Sequence, residues 1–301
     1  MRRLAKGAVG AALRIALRIS GRKVGVALLY HSIEDSGRRR EDELVPPTPP
    51  ALFERQLRHL RRHYRVVPAS RLQGAAAARR RGERIPVAIT FDDDDPGYRG
   101  RVAPLLDRAG LTATFFLNGR AGPLWWRQLQ AAWDRGAVDE PSLERFGHAV
   151  SRMRPAERAG VEELLAERAG TGPELCGLDP DGVRALAAAG FEIGFHTLRH
   201  DYLPVLDDEE LREALRAGLP ELAEAAGSPV TAFASPNGGH GERVRAAVAA
   251  AGFSHAFTAA PAPVTPGSDP LALGRITPPR GSVEELSLEI TRTAAGRPRG
   301  R

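Results

Sequence analysis

The 301-residue sequence predicts an α/β protein in which helices alternate with parallel strands. Three helical segments end in Ala-Gly, at residues 109–110, 189–190 and 251–252, and an apolar run follows each of them at once. Glycine is the usual residue just beyond a helix end, because the left-handed conformation costs it little. Helix, glycine and strand in repetition are typical of parallel βα units rather than hairpins. The pattern therefore favours a (β/α) barrel or an open doubly wound sheet.

Seven short apolar runs are expected to form the strands of this sheet. They cover residues 24–30, 86–91, 111–117, 191–195, 230–234, 253–257 and 271–276. Residues 122–180 interrupt the alternation, because they contain all three tryptophans and their pattern is mostly helical. We therefore expect a helical insertion around 122–180. Packing within the insertion is the preferred role of the tryptophans, and a lid beside an active site is the alternative.

The basic residues are concentrated at the two ends of the chain. The net charge is +6, yet residues 1–23 carry seven basic side chains and no acid, and residues 292–301 carry four. The rest of the chain has 32 basic and 37 acidic residues. A mildly acidic body is a poor binder of nucleic acid, so we expect no nucleic-acid partner. A lone cysteine, Cys176, excludes an internal disulfide framework.

Residues 1–23 have the pattern of a basic amphipathic leader. Arg14 and Arg18 interrupt its apolar stretch, so it falls short of the roughly 20 apolar residues that a spanning helix needs. It also lacks a convincing signal-peptide cleavage site. Peripheral contact with an anionic membrane is one interpretation, and a helix that is solvated or docked on the core is the other. We expect a barrel domain over 24–291, a basic disordered tail over 292–301, and a cytoplasmic or membrane-associated protein, with export left open.

Polar side chains follow four of the predicted strands at the point where each strand ends. His31 follows the first run, Asp92 and Asp93 follow the second, His196 follows 191–195, and residues 235–238 follow 230–234. In a parallel α/β barrel the carboxyl ends of all strands lie on one face, and that face carries the active site. The sequence therefore predicts that these groups converge.

The residue types at this face predict a metal centre. His196 and His200 are four residues apart, a spacing that points both rings the same way in either a strand or a helix. One Asp and two His form a reasonable ligand set for a catalytic ion, so we expect Asp93, His196 and His200 to bind a divalent metal, with Zn²⁺ preferred. The absence of a Glu within the histidine motif argues against a zincin-type protease, whose HExxH motif carries its own base.

The remaining groups at this face could carry out proton transfer and charge stabilisation. Asp92 is adjacent to a predicted ligand and could take a proton from a water that the metal activates, and His31 could donate one to a leaving nitrogen. A backbone N–H in the turn formed by Pro236, Asn237 and Gly238 could bind the developing oxyanion.

Four segments resemble motifs of the polysaccharide deacetylases, the NodB-type domain of carbohydrate esterase family four. They are TFDD at 90–93, HTLRH at 196–200, FASPNG at 233–238, and LLYHSIED at 28–35, the last being similar to the opening of circularly permuted members such as poly-N-acetylglucosamine deacetylases. The resemblance spans roughly residues 24–280 and implies a distorted (β/α)7 barrel. It also implies an acetylated amino-sugar polymer or glycolipid as substrate.

The resemblance implies the same roles for the site residues. Asp92 would be the catalytic base and His31 the acid. Asp93, His196 and His200 would be the metal ligands, and the turn at 236–238 would line the groove and donate an N–H to the oxyanion.

The sequence departs from the family pattern in three places. Asp94 and Asp95 stand where glycine is usual, so we expect like-charge repulsion to raise the pKa of the local carboxyl groups, or another Asp to join the metal. The arginine that orients the catalytic aspartate is missing from the third motif, where Ala234 or Ser235 stands. No late Leu-x-x-His motif occurs downstream of His255, so the acid role falls on His31 or on no residue.

The leading prediction is a metal-dependent hydrolase that removes N-acetyl or O-acetyl groups from a polysaccharide or glycolipid. One alternative is a catalytically weak, carbohydrate-binding member of the same fold, which the missing arginine favours. The other is a C–N hydrolase acting on a non-carbohydrate amide, which stays open because no motif in the sequence identifies a sugar.

Overall fold

The computed structural model describes residues 2–296 as a parallel sheet surrounded by helices. The strands are β1 (Val26–Tyr30), β2 (Arg65–Val66), β3 (Pro86–Asp92), β4 (Thr114–Leu117), β5 (Glu192–Phe195), β6 (Ala232–Ala234), β7 (His255–Phe257) and β8 (Arg275–Ile276). The helices are α1 (Arg2–Ser20), α2 (Pro50–His63), α3 (Leu72–Ala78), α4 (Ala103–Ala109), α5 (Trp125–Asp134), α6 (Leu143–Ser151), α7 (Pro155–Ala169), α8 (Pro180–Ala188), α9 (Asp208–Ala214), α10 (Leu219–Ala226), α11 (Glu242–Ala250) and α12 (Val283–Ala294).

Seven strands form a sheet that nearly closes into a barrel. Their order is β7-β6-β5-β4-β3-β1-β8, and a parallel bridge between Phe257 and Leu273 joins β7 to the segment that leads into β8. This confirms the predicted distorted (β/α)7 barrel over the open doubly wound sheet. Each predicted run coincides with one of the seven strands, and only β3 extends beyond its run, by one residue to Asp92. The sequence missed β2, whose two residues pair with β3 outside this order and are too few to produce a pattern.

The central strands are buried on both faces, which explains why they are continuous apolar runs in the sequence. All residues of β1 and β3 are buried. Between the sheet and the surrounding helices the rings of Phe91 and Phe115 stack with their centroids 5.0 Å apart, and Tyr30 stacks on Phe91 at 5.5 Å. This packing fixes the ends of β1, β3 and β4, from which the polar loops of the site begin.

The predicted helical insertion contains α5, α6 and α7, and α8 begins at its end. These helices enclose an apolar cluster of their own, built around Trp125, Leu129, Leu143 and Leu165. Residues of α5 and α6 line a cavity at the carboxyl end of the barrel, so the insertion forms one wall of the candidate site. Helix α7 contacts the loop that follows β5 through Arg158.

The first and last helices, α1 and α12, come together on one side of the barrel. Helix α1 packs along α12, with Gly10 and Leu17 buried, and Arg14 Nη1 donates to Ser287 Oγ at 2.9 Å. Helix α12 continues to Ala294, so the start of the predicted disordered tail is helical because it packs against the body of the protein. The rest of that prediction, at 297–301, lies outside the described residues. Within residues 2–296, no helix has an apolar stretch long enough to cross a membrane.

Candidate metal centre and active site

Both histidines of the HTLRH segment lie on a tightly held loop after β5, which we call the metal loop (residues 196–201). Thr197 and His200 adopt left-handed backbone conformations, with φ of 57° and 54°. Asn118, just after β4, donates through Nδ2 to the carbonyl of His196 at 3.2 Å and to that of Thr197 at 2.7 Å. The two imidazole rings lie edge to face, with their centroids 4.9 Å apart and their planes at 69°.

Asp93, His196 and His200 form the group that fits a metal ion. Asp93 Oδ1 lies 3.5 Å from His196 Nε2 and 3.4 Å from His200 Nε2, and this oxygen is buried without a hydrogen-bond partner. Two ligands of a tetrahedral zinc ion, each at the usual bond length of 2.0–2.1 Å, are about 3.4 Å apart. Within residues 2–296 it is the one group of three or more such side chains whose ligand atoms all lie within 4.8 Å of one another. The structure therefore brings the predicted ligand set together.

The histidines are prepared to bind a metal in their neutral form. His196 Nδ1 lies 2.7 Å from the carbonyl oxygen of Ala234 and donates its proton there, which leaves the lone pair of Nε2 directed at the metal position. Burial lowers the pKa of His196 against the opposing effect of Asp92. Burial, with His196 and Arg158 nearby, holds the pKa of His200 well below its usual range. Neutral imidazole is the ligating form, so these shifts favour metal binding.

Asp93 is an unfavourable place for a negative charge unless a cation is near. Burial raises the pKa of Asp93 well above its ordinary value, and the neighbouring carboxylates of Asp92, Asp94 and Asp95 raise it further. The expected effect of the acidic run on the local pKa is therefore present. Asp93 also has a left-handed backbone, with φ of 70°, which a non-glycine residue rarely adopts. A divalent ion would offset the charge repulsion at this carboxylate.

Asp94 and Asp95 support the loop rather than join the metal group. The carboxylate oxygens of Asp94 accept from the backbone N–H of Asn118 at 2.9 Å and of Arg120 at 3.3 Å. Burial raises the pKa of Asp94 to about 7. Asp95 accepts from the N–H of Gly97 at 2.7 Å and from Arg127 Nη1 at 3.2 Å.

Asp92 is held by an arginine that sequence reasoning missed. Arg275 on β8 is 1% exposed, and its Nη1 and Nη2 donate to Oδ1 and Oδ2 of Asp92 at 2.6 Å each. Its Nε donates to the carbonyl of Thr258 at 3.0 Å, and Nη1 also donates to Thr90 Oγ1 at 3.1 Å. Burial acts to raise the pKa of Asp92, but Arg275 and His196 outweigh it and the pKa is lowered. Asp92 is therefore ionised at neutral pH.

The expectation that the protein lacks an orienting arginine is thus corrected. The third motif contains no arginine, but Arg275 on β8, near the C-terminal end of the domain, binds Asp92 instead. The available signal was Arg275 itself, a charged residue within the apolar run 271–276.

The site lies where two adjoining cavities meet, of about 290 and 350 Å³. Both are lined by His31, Asp92, Asp93 and Trp126, and the larger one continues towards α6 and residues 237–238. Together they form a groove that extends to both sides of the metal group. Trp125 packs within the insertion as preferred, whereas Trp126 is partly exposed in the groove, with its ring centroid 4.9 Å from that of His200.

His31 lies directly after β1 and is partly exposed to both cavities. Burial lowers the pKa of His31 to about 4, against the attraction of Asp92. Its ring is therefore neutral at pH 7 in the free protein.

The turn after β6 reaches the groove through only two of its three predicted residues. Asn237 and Gly238 line the groove, while Pro236 is buried and has no N–H to donate. The N–H of Gly238 donates to the carbonyl of Ser235 at 2.9 Å. Asn237, with φ of 53°, is thus the residue of this turn best suited to present an N–H to a ligand.

Known structures share this architecture at low sequence identity. The Streptococcus pyogenes deacetylase PplD, determined in complex with acetate, has 16% identity and a TM-score of 0.63, over 90% of this chain and 98% of that one. IcaB from Ammonifex degensii has 18% identity and a TM-score of 0.58, over 88% and 97%. The BpsB deacetylase domain from Bordetella bronchiseptica has 16% identity and a TM-score of 0.54, over 84% and 96%.

At such identities these likenesses establish the fold. The family follows from sequence, because a family model described as polysaccharide deacetylase matches residues 79–256, more than half of the chain and inclusive of TFDD and HTLRH. The chain belongs to the polysaccharide deacetylase family, whose members are hydrolases acting on C–N bonds.

Proposed function

We propose that this protein is a metal-dependent deacetylase that removes N-acetyl groups from an amino-sugar polymer or glycolipid. The observation that carries the proposal is the pairing of Asp92 with Arg275 directly beside the Asp93, His196 and His200 group. An oriented, ionised carboxylate next to a three-ligand metal group is what a hydrolase needs and a binding module does not.

Asp93, His196 and His200 would hold the ion, and the donor set of two nitrogens and one oxygen suits Zn²⁺. When bound, such an ion lowers the pKa of a water molecule to about 7 and polarises the acyl oxygen of the substrate. The remaining chemistry belongs to the protein side chains.

Asp92 takes the proton from the attacking water. Each of its oxygens accepts one hydrogen bond from Arg275, which leaves a lone pair on each and fixes the plane of the carboxylate. A correctly placed base contributes about 10²–10⁴-fold to the rate. Because its pKa is about 4, His31 begins the reaction neutral and receives the proton that Asp92 took from the water. It then donates that proton to the leaving nitrogen, which returns both Asp92 and His31 to their starting states. The N–H of Asn237 stabilises the developing oxyanion.

The shape of the groove supports a polymeric sugar. It extends in two directions from the metal group, so that a chain could pass through, and Trp126 offers an aromatic face at the junction. Aromatic rings pack well against the apolar faces of sugars while leaving their hydroxyl groups in water. The case for a catalytically weak member depended on a missing arginine, and Arg275 removes that reason.

We also propose that the protein lies on an anionic membrane surface through α1. The side chains of Ala8, Ala12, Ile15 and Ile19 recur at helical spacing on its outer face, and Ile15 and Ile19 are 57% and 52% exposed. Five basic and no acidic residues lie within α1, and Arg22 and Lys23 follow it, which gives this segment the charge that anionic lipids attract. In this position the enzyme would act on substrate at the membrane.

A substrate panel at fixed Zn²⁺ tests the function. Acetate release is measured for N-acetylglucosamine oligomers, an O-acetylated polysaccharide and an N-acetylated amino acid, each with and without chelator. We expect chelator-sensitive release from the amino-sugar oligomers. Release from the amino acid alone would favour the non-carbohydrate C–N hydrolase, and stoichiometric metal binding without turnover of any substrate would favour the carbohydrate-binding alternative.

A further inference from the structure

Arg158 is a buried arginine of the insertion that the proposed chemistry does not use. It lies on α7, its side chain is 1% exposed, and its Nε donates to Glu162 Oε1 at 2.8 Å on the same helix. The guanidinium carbon is 5.9 Å from the ring centroid of Trp125, which packs in the insertion. Burial of a charge costs free energy unless the charge is paired, so the partners of Arg158 indicate its role.

The partners of Arg158 lie on the metal loop. Its Nη2 donates to Asp201 Oδ1 at 2.6 Å and to the carbonyl oxygen of Arg199 at 2.9 Å. Asp201 is buried and directly follows the ligand His200. Arg158 therefore binds the metal loop on both sides of His200, through one hydrogen bond to Arg199 and one to Asp201.

The metal loop needs such an anchor because its backbone is strained. Thr197 and His200 are both left-handed without being glycine, and such residues persist only where the surroundings enforce them. Asn118 anchors the first half of the loop through the carbonyls of His196 and Thr197. Arg158 is the corresponding anchor of the second half.

We propose that Arg158 is a positioning residue that, through Asp201 and the Arg199 carbonyl, holds His200 in its metal-binding position. The inference rests on the proposed metal centre and adds that the insertion is part of its support. Without Arg158 the buried Asp201 carboxylate would lack its cation, and the loop would relax towards ordinary backbone angles. Such a movement would carry His200 Nε2 away from Asp93 Oδ1, which now lies 3.4 Å from it.

Cobalt binding tests the inference without any substrate. The metal-free protein is titrated with Co²⁺, whose visible absorption reports both affinity and ligand geometry. For Arg158→Met we expect about 10-fold or greater loss of affinity, the low end of what loss of a ligand's supporting contacts costs, together with a changed spectrum. Arg158→Lys should recover part of the affinity, because an ammonium can bond Asp201 but cannot reproduce the planar fork of Arg158.

Two further variants separate positioning from folding. The matched control is Arg154→Met, four residues earlier, which breaks exposed ion pairs with Asp207 and Glu210 and should leave Co²⁺ binding unchanged. In Arg158→Met/Asp201→Leu no buried charge is left unpaired, so thermal stability should recover relative to Arg158→Met. We expect the Co²⁺ affinity of this double variant to stay low, because the anchor is still missing.

The outcomes are distinct. Wild-type affinity and spectrum in Arg158→Met, or recovery of both together with stability in the double variant, would overturn the positioning role and leave the metal centre intact. Failure of the unaltered protein to bind Co²⁺ would instead overturn the metal centre, and the inference with it.

Discussion

Arg275 and Asp92 are joined by two parallel hydrogen bonds of 2.6 Å, although they lie 183 residues apart in the chain. The bonds cross from the last strand of the barrel to β3, over β1, which pairs with both. The same arginine also donates a hydrogen bond to the carbonyl of Thr258, just after β7. Arg275 can therefore orient the proposed base only when β8 has taken its place as the last strand of the barrel.

Replacement of Arg275 by Met should lower activity and move its pH dependence. Arg275 holds the pKa of Asp92 down, so without it burial would raise that pKa and Asp92 would stay protonated to a higher pH. The acid limb of the kcat/KM profile should shift upward, with a loss at neutral pH on the order of 10²-fold. An acid limb that stays where it is in the unaltered protein would exclude this role. Arg275→Lys should show a smaller shift.

The adjacent tryptophans should respond differently to substitution. Trp126→Ala removes the aromatic face in the groove, so we expect KM for the oligomer to rise by about 2–10-fold, as loss of an aromatic contact does, with Trp126→Phe close to normal. Trp125 is buried in the insertion, and Trp125→Ala should lower the free energy of unfolding by about 3–5 kcal/mol. Steady-state kinetics and urea unfolding measure the two effects, and an unchanged KM in Trp126→Ala would remove Trp126 from substrate binding.

His59 should make the protein less stable in acid, independently of the metal site. Burial, and then the nearby His63 and Arg14, lower the pKa of His59 from 6.5 to about 4, and its Nε2 is buried without a partner. Between these two pH values the unfolded chain binds the proton more tightly, so stability falls as pH drops from 6.5 towards 4. The slope from one such group is at most about 1.4 kcal/mol per pH unit. Urea unfolding of metal-free protein should show a shallower decline for His59→Gln, and equal slopes would contradict the assignment.

Membrane binding through α1 should depend on its outer face and on salt. Ile15→Glu should reduce co-flotation with vesicles of mixed zwitterionic and anionic phospholipid, because it places a like charge and a polar group in the contact. Leu164→Glu on α7 is the matched control, since Leu164 is also an exposed apolar residue on a helix, at 41%. Binding of the unaltered protein should weaken as ionic strength rises. Equal flotation of both variants would rule out this face.

The parts of this protein that follow local rules could be predicted from the sequence. The strands are buried on both faces and end in polar residues, so the sequence alone places His31, Asp93 and His196 at one end of the barrel. His196 and His200 do come together as expected, but for a different reason: they lie on a loop with left-handed residues at 197 and 200, not on the strand or helix from which their spacing was interpreted.

The supporting contacts could not be predicted, because each joins segments far apart in sequence. Arg275 reaches Asp92 only once β8 has docked beside β1, and Arg158 reaches Asp201 only once the insertion has folded over the metal loop. The two-residue strand β2 exists through its pairing with β3 rather than through any pattern of its own. In the sequence Arg158 is indistinguishable from the many arginines that are exposed, and the position of Arg275 within the apolar run 271–276 does not identify its partner.

The most direct test of the central claim is acetate release from N-acetylglucosamine oligomers while metal-free protein is titrated with Zn²⁺. The unaltered protein should gain activity linearly and reach its maximum at one ion per chain. Asp92→Asn should bind the ion yet release acetate about 10²–10⁴-fold more slowly, whereas Asp93→Asn should bind the ion weakly. Release that is already maximal without metal, or that persists in Asp92→Asn, would contradict the account.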